Sequence, residues 1–197
     1  MSIDRESLTL LGSVLEYPGP DTPALSRQAA DRLAGDHIAL ARTLWDLAVW
    51  LETTTRGEAE ERYTGLFDLN PVCTLHVGYQ LFGETYQRGE FRAHLSRELR
   101  KRGVDAGQEL PDHLPTVLRL LAGADEESAL TLIEDALLPA LRKMGEGLAD
   151  SQDCWSAIVK ALPGCLSDSA TEAPVDQPAG RSIPAMLAEE KGATAHA

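Results

Sequence analysis

The chain has 197 residues, 43% of them hydrophobic and 25% charged, with a formal net charge of −13. This composition is ordinary for a globular domain with a substantial core, and the negative charge argues against nucleic acid as a partner, because phosphate binding requires a basic surface. Three cysteines without a C-x-x-C pair argue against a disulfide framework or a zinc ribbon, and no apolar run approaches the roughly 20 residues of a membrane span.

The spacing of apolar residues predicts helices along nearly the whole chain. The predicted helices, in chain order, are one that ends before Pro18-Gly19-Pro20, then 22–35, 36–52, 58–67, 74–88, 90–102, 114–121, 125–148 with a bend at Pro139, and one from 151 to Pro163-Gly164. Four polar residues at the starts of helices are predicted N-caps: Asp36, Thr74, Asp125 and Ser151. Asn70-Pro71 is a predicted break. The third helix has a predicted apolar stripe of six residues: Ile38, Ala41, Leu44, Trp45, Ala48 and Leu51.

No stretch alternates in the manner of a β-strand, and no Asn-Gly hairpin or fixed-period repeat is present. We predict an all-α protein, a single-domain helical bundle of about eight to ten helices. This domain is expected over residues 1–167, and residues 168–197, with few large apolar side chains, are predicted to form a disordered C-terminal tail. The N-terminus lacks the features of a secretory signal, so we expect a cytoplasmic protein without stable membrane association.

Residues 63–91, YTGLFDLNPVCTLHVGYQLFGETYQRGEF, hold much of the aromatic content. Helical spacing from Thr74 places four apolar side chains on one stripe: Leu75, Tyr79, Phe82 and Tyr86. Such a stripe belongs either to the core or to a docking surface. Gly78 and Gly83 lie inside this predicted helix, where each glycine costs about 1 kcal/mol relative to alanine, and they indicate close approach by another helix or a ligand.

The loop ELPDHLP, residues 109–115, places Asp112 and His113 between two prolines. Since proline restricts its own backbone and that of the preceding residue, the loop presents a carboxylate and an imidazole on a stiff frame. Asp112 is also a candidate cap for the helix that begins at Leu114. The two roles are compatible.

The sequence contains no phosphate-binding loop, nucleotide-binding glycine motif, nucleophile elbow or H-E-x-x-H pair. Five residues have side chains that bind metals, but their spacing is not specific for a metal site: His76, Glu84, His94, Asp112 and His113. We therefore expect no catalytic residue, no bound metal and no cofactor. A helical metal-dependent enzyme and a helical adaptor with an unrelated partner are the alternatives.

Three features in order carry a family resemblance. Y-x-x-L-F occupies residues 63–67, an aromatic helix with a histidine follows, and P-D-H occupies residues 111–113. This order resembles the redox-enzyme maturation chaperones. The segment HVGYQLFGETYQRGEF is most similar to their nitrate reductase delta subunit (NarJ) branch, and the chain is more distantly like the TorD and DmsD branches.

The resemblance implies a non-enzymatic, cytoplasmic, all-α chaperone that is monomeric or weakly dimeric. Such proteins bind the apo catalytic subunit of a molybdenum-containing oxidoreductase, often through its N-terminal segment. They assist insertion of the molybdenum cofactor before membrane attachment or export.

Motif positions assign binding of the client segment to Tyr63, Phe67, Asp112 and His113. Position and charge add further candidates: Asp68, His76, Tyr79, Phe82, Glu84 and Tyr86. A groove lined by the aromatic stripe is expected to hold the apolar face of the segment, and the acids to meet its basic residues. Replacing Asp112 and His113 together is expected to impair client maturation and to leave the fold intact.

Overall fold

The computed structural model describes residues 3–69 and 73–171, with side chains through residue 167. Within these ranges the chain forms ten α-helices, one π-helical turn and no β-strand, which confirms the all-α prediction. The helices are α1 (Arg5–Val14), α2 (Thr22–Leu33), α3 (Ile38–Thr53), α4 (Arg56–Phe67), α5 (Val77–Phe82), α6 (Tyr86–Arg102), α7 (Leu114–Ala122), α8 (Glu126–Leu132), α9 (Leu138–Gly147) and α10 (Cys154–Thr171).

Trp155 of α10 lies where side chains of α1, α3 and α4 meet, and it has no exposed surface. Its ring meets the rings of Trp50 and Tyr63 edge to face, at centroid distances of 5.7 and 5.5 Å, a geometry that aromatic quadrupoles favour. The indole Nε1 donates to the carbonyl of Val14 at 3.3 Å. One aromatic residue thus ties four helices together, and α1 extends the core by packing on α2 and α7.

Two predicted helix ends are confirmed by local chemistry. Helix α6 stops at Gly103, which takes a left-handed φ of 66° as a C-terminal cap. Helix α8 begins after Asp125, whose carboxylate accepts a hydrogen bond from the amide of Ser128. Each end therefore follows from a residue type suited to that position.

Two other predicted N-caps are wrong. The amides of Asp36 and His37 both donate to the carbonyl of Leu33, so Asp36 belongs to the turn that ends α2, and His37 precedes α3. At the start of α10 the carboxylate of Asp153, and not Ser151, accepts from the first turn, through the amide of Trp155 at 2.8 Å.

Two prolines lie inside helical segments without ending them. The helix predicted over 125–148, with a bend at Pro139, is instead interrupted earlier, by the π-turn Ile133–Leu137. Pro139 follows this turn and lies in the first turn of α9, where its missing N–H is tolerated. The end predicted at Pro163-Gly164 is wrong, because α10 continues to Thr171. The predicted boundary between residues 167 and 168 therefore falls inside a helix.

The predicted helix 74–88 is wrong, because the chain forms two helices there. Gly83 takes a φ of 61° and a ψ of −154° and ends α5, a conformation that is essentially restricted to glycine. Thr74 does not cap α5, whose N-cap position is held by His76. The predicted aromatic stripe is also wrong, since Leu75 is buried ahead of α5 while Tyr86 is 78% exposed on α6.

The predicted apolar stripe of α3 is wrong at two positions. Ile38 is 71% exposed and Trp45 is 44% exposed. The stripe is confirmed at Ala41, Leu44 and Ala48, which are buried together with Leu40 and Leu47. The Trp45 ring is covered on one side by the Arg27 guanidinium, which lies 4.4 Å from the ring centroid.

Some predictions fall outside the described residues. These are the break at Asn70-Pro71 and the tail from residue 172 onward. Among the helices that the structure does describe, none has both the length and the apolar character needed to cross a bilayer.

Candidate functional site

Two short segments, residues 74–77 and the P-D-H loop at 111–113, lie side by side and connect α5 to α7; we call them the bridged loops. Two backbone hydrogen bonds of 2.8 Å hold them together: Val77 N–H to Asp112 O, and Leu114 N–H to Leu75 O. These bonds pair His76 with His113 as an isolated antiparallel bridge. Two residues that are 37 positions apart in the sequence thereby lie side by side in one hydrogen-bonded unit.

The side chain of Asp112 fastens α6 to the bridged loops. Its carboxylate has no exposed surface, and Arg88 Nε donates to Oδ2 at 2.9 Å. Arg92 Nε lies 4.0 Å from the other oxygen. Arg88 also donates to the exposed Glu84 at 3.0 Å, and its guanidinium lies 5.5 Å from the Tyr79 ring centroid. Arg88 thus joins three predicted site residues in one network.

The capping role predicted for Asp112 is wrong. The N-cap of α7 is His113, which makes no side-chain capping bond, and the Asp112 carboxylate faces Arg88 instead. For the same reason Asp112 is not placed to meet a basic residue of a client. To contact a basic residue of a client, the buried carboxylate would have to break its ion pair with Arg88, which is energetically unfavourable.

Gly78 leaves the space that the Asp112 carboxylate fills. A Cβ at this position would lie 2.7 Å from Asp112 Oδ2 and 2.9 Å from Cδ1 of Phe91, inside the usual contact distance. The close approach predicted at Gly78 is therefore confirmed as a contact within the fold. Within the described part of the chain, no atom lies within 4 Å of a Cβ added at Gly83, whose role is to end α5.

We predict that Gly78→Ala lowers the free energy of unfolding by about 1–3 kcal/mol, because the added methyl overpacks the Asp112 site. Gly89→Ala in α6 is the matched control, since none of the described residues comes within 4 Å of its added Cβ. That variant is expected to gain about 0.5–1 kcal/mol, as alanine does at an open helical position. Urea unfolding of both variants measures the difference, and a gain in stability from Gly78→Ala would contradict this packing.

Two histidines line the bridged loops. The rings of His76 and His113 lie 5.4 Å apart, and His76 Nδ1 shares a hydrogen bond of 2.8 Å with the Thr74 hydroxyl. Burial, with added repulsion from His76 and Arg119, lowers the pKa of His113 to about 3. Burial also lowers the pKa of His76. Both rings are therefore neutral at pH 7 in the folded protein.

These depressed pKa values predict a stability loss in mild acid. An unfolded histidine binds a proton near pH 6.5, whereas folded His113 stays neutral down to about pH 3. Stability is therefore fully present above pH 6.5 and falls as the pH drops, by at most about 1.4 kcal/mol per pH unit for one proton. His113→Gln is expected to lose less stability than the wild type between pH 7 and pH 5 in urea titrations. Parallel losses in the two proteins would contradict the assignment.

The other predicted site residues divide by exposure. Tyr63 and Phe67 are 3% and 1% exposed, and the Tyr63 hydroxyl donates to the carbonyl of Leu15 at 2.7 Å. Both belong to the cluster around Trp155, and their burial keeps their side chains from contacting a partner in this conformation. Tyr79 and Phe82 are half-buried. The exposed ones are Asp68, Glu84 and Tyr86.

The five residues considered in the sequence as metal ligands do not form a metal site. Among the residues that the structure describes, no three His, Cys, Asp or Glu side chains are placed to hold a metal ion. Asp112 is occupied by Arg88. Burial raises the pKa of the Cys73 and Cys154 thiols, which stay protonated at neutral pH.

Sequence reasoning missed Arg88, the residue that holds the site together. Its position four residues after Glu84 is the spacing of a surface ion pair on a helix, which does not indicate a buried partner. Its main partner, Asp112, lies 24 residues away in the sequence. That pairing depends on how the helices pack and has no local signature.

Comparisons with known proteins agree with this architecture. The family model described as nitrate reductase delta subunit matches residues 32–157. The probable nitrate reductase molybdenum cofactor assembly chaperone NarJ of Bacillus subtilis is 25% identical over an alignment of 177 positions that covers 84% of this chain and 91% of that protein. The nitrate reductase molybdenum cofactor assembly chaperone NarJ of Escherichia coli K12 is 23% identical over an alignment of 159 positions that covers 79% of this chain and 67% of that protein.

A solved structure supports the fold independently. The crystal structure of a putative redox enzyme maturation protein from Archaeoglobus fulgidus superposes with a TM-score of 0.59 at 19% identity, covering 85% of this chain and 96% of that one. At this identity the likeness concerns the fold alone. The family match spans more than half of the chain, and so the chain belongs to the nitrate reductase delta subunit family.

Proposed function

We propose that this chain is an assembly chaperone that binds the apo catalytic subunit of a nitrate reductase-type molybdoenzyme through the N-terminal segment of that subunit. It acts in the cytoplasm, holds the subunit while the molybdenum cofactor is inserted, and releases it before membrane attachment or export. It catalyses no reaction and uses no cofactor of its own. The observation that carries this proposal is the family match over residues 32–157, together with relatives named for molybdenum cofactor assembly.

The charge and surface of the chain support this role. A net charge of −13 suits a partner segment that carries basic residues. Of the residues assigned to client binding, three are exposed, and we propose that these touch the client: Asp68, Glu84 and Tyr86. The buried ones act by holding the shape of the surface, through the Trp155 cluster and the bridged loops.

Removal of the gene from its host tests the proposal. Under nitrate respiration, the catalytic subunit of nitrate reductase is expected to accumulate with little molybdenum, and the gene supplied on a plasmid is expected to restore it. The measurement is molybdenum per purified subunit by elemental analysis. A second molybdoenzyme of the same cell serves as the control for client specificity. Full molybdenum occupancy without the gene would rule the proposal out.

A further inference from the structure

Three large apolar side chains lie along one line on the surface of α3 and are exposed: Ile38, Trp45 and Val49, at 71%, 44% and 43%. The exposed Arg42 lies on the same line, so that residues 38, 42, 45 and 49 follow one another at spacings of four, three and four. This is the spacing of the contact line between two paired helices. The other side of α3 packs against α2 and α10. We call the four residues of the line, together with the adjacent Asp46, the α3 face.

Trp45 is already held in position within the single chain. The Arg27 guanidinium lies 4.4 Å from the centroid of the indole ring, and it donates two hydrogen bonds to the carboxylate of Glu52. One side of the ring is thereby covered, and the rest of the side chain stays open to solvent. A tryptophan that is fixed in this way loses little conformational entropy when a partner covers it, and tryptophan is among the residues that dominate the binding energy of protein interfaces.

The charges of the α3 face favour a second copy of the same chain. Helix α3 contains one base and two acids, of which Glu52 is paired with Arg27. Arg42 and Asp46 are exposed, and among the residues that the structure describes neither makes an ion pair. On a chain with a net charge of −13, this face is thus neutral, with one unpaired acid and one unpaired base. An identical face provides the opposite charge for both.

An antiparallel pair of α3 helices matches the whole face in one register. In a two-fold pair, if residue i of one copy lies opposite residue j of the other, then j also lies opposite i. Placing Arg42 opposite Asp46 of the second copy therefore forms two equivalent ion pairs. Because a helix rises about 1.5 Å per residue, the same register puts Ile38 within about 1.5 Å of the level of Val49 in the second copy, and the two Trp45 residues within about 3 Å of each other's level. A parallel pair would place like charges at the same level.

We propose that the α3 face, formed by Ile38, Arg42, Trp45, Asp46 and Val49, is a self-association surface on which two copies of the chain pair through antiparallel α3 helices. The inference goes beyond the proposed function and does not depend on it. Each copy contributes mainly one helix of 16 residues, about 24 Å long, so the interface is small. The dimer is therefore expected to be weak and reversible, with a Kd on the order of 10 μM.

Sedimentation velocity of the full chain, from about 1 to about 300 μM, brackets this Kd and tests the self-association. The sedimentation coefficient of the wild type is expected to rise with concentration. Trp45→Ala is expected to weaken self-association at least about ten-fold, as loss of a central interface tryptophan does. Tyr86→Ala is the matched control, because it removes an aromatic side chain that is 78% exposed outside the α3 face, and self-association should be unchanged.

A charge exchange tests the antiparallel register. Arg42→Asp creates a face with two acids, and Asp46→Arg creates a face with two bases, so each variant alone brings like charges together and should stay monomeric. An equimolar mixture of the two variants places opposite charges at both positions, and heterodimers as strong as the wild-type dimer are expected. Both positions are exposed, so the urea midpoints should stay close to that of the wild type.

Three results would overturn the inference. The first is a wild type that stays monomeric over the whole concentration range. The second is equal self-association by the wild type and by Arg42→Asp or Asp46→Arg alone, and the third is a mixture of these two variants that stays monomeric. A monomeric wild type whose Trp45→Ala variant recovers less catalytic subunit in affinity purification would assign the α3 face to the client instead. The chaperone role is tested separately, by the molybdenum content of the client.

Discussion

Asp112→Ala is expected to lower the free energy of unfolding by about 3–5 kcal/mol, the loss found when one partner of a buried ion pair is removed. The substitution leaves Arg88, which is 9% exposed, with the surface carboxylate of Glu84 as its remaining hydrogen-bonded acid. It also frees the bridged loops from α6. Urea unfolding at pH 7 measures the change through the shift in midpoint.

A double-mutant cycle identifies the cause. Arg88→Met removes the charge that Asp112→Ala leaves unpaired, so the double variant is expected to lose less stability than the sum of the single losses. Asp68→Ala is the control, because Asp68 is an exposed acid, and a change within about 0.5 kcal/mol is expected. Additive losses in the cycle would contradict the Arg88–Asp112 pair.

This prediction alters how motif mutants must be interpreted. From the sequence, replacing Asp112 and His113 together was expected to leave the fold intact. The structure argues against this, since one carboxylate and its arginine hold α6, α5 and the P-D-H loop together. Poor client maturation by such a variant would therefore be explained by a destabilised fold, and would not by itself show that a contact with the client had been lost.

Phe67→Ala is expected to cost about 3–5 kcal/mol of stability, as is usual for a buried phenylalanine. Its ring is 1% exposed and meets the ring of Tyr63 at 5.0 Å, inside the cluster centred on Trp155. The last position of the Y-x-x-L-F motif is thus part of the core. Thermal or urea unfolding provides the measurement.

Leu69→Ala is the matched control for Phe67→Ala, two residues along the chain. Its side chain is 77% exposed, so its stability is expected to change by no more than about 0.5 kcal/mol. A Phe67→Ala variant with wild-type stability would show that this residue does not anchor α4.

The fold class was predictable from the sequence because helical periodicity and end signals are local. Gly103 and Asp125 mark helix ends through their own backbone and side-chain preferences, and both predictions are confirmed. The break at Gly83 was missed for a different reason. Glycine is compatible both with a helix interior and with the φ of 61° that it adopts, and the choice is made by how α5 and α6 pack.

The candidate site was less predictable, because apolar periodicity does not distinguish a core face from a docking face. Tyr63 and Phe67 lie on the buried side of α4, whereas Leu69 and Gly65 lie on the open side. The sequence identified Gly78 as a point of close approach, but not its partner. The buried charge of Asp112 could not be predicted without knowing that Arg88 reaches it from another helix.

The proposed function requires the chain to hold a molybdoenzyme catalytic subunit before that subunit receives its cofactor. The most direct test is affinity purification of the tagged chain from its own host during nitrate respiration, with mass spectrometry and molybdenum analysis of the proteins that accompany it. We predict recovery of a nitrate reductase-type catalytic subunit that lacks molybdenum. Recovery of the chain alone, or with unrelated proteins, while that enzyme is being made would contradict the account.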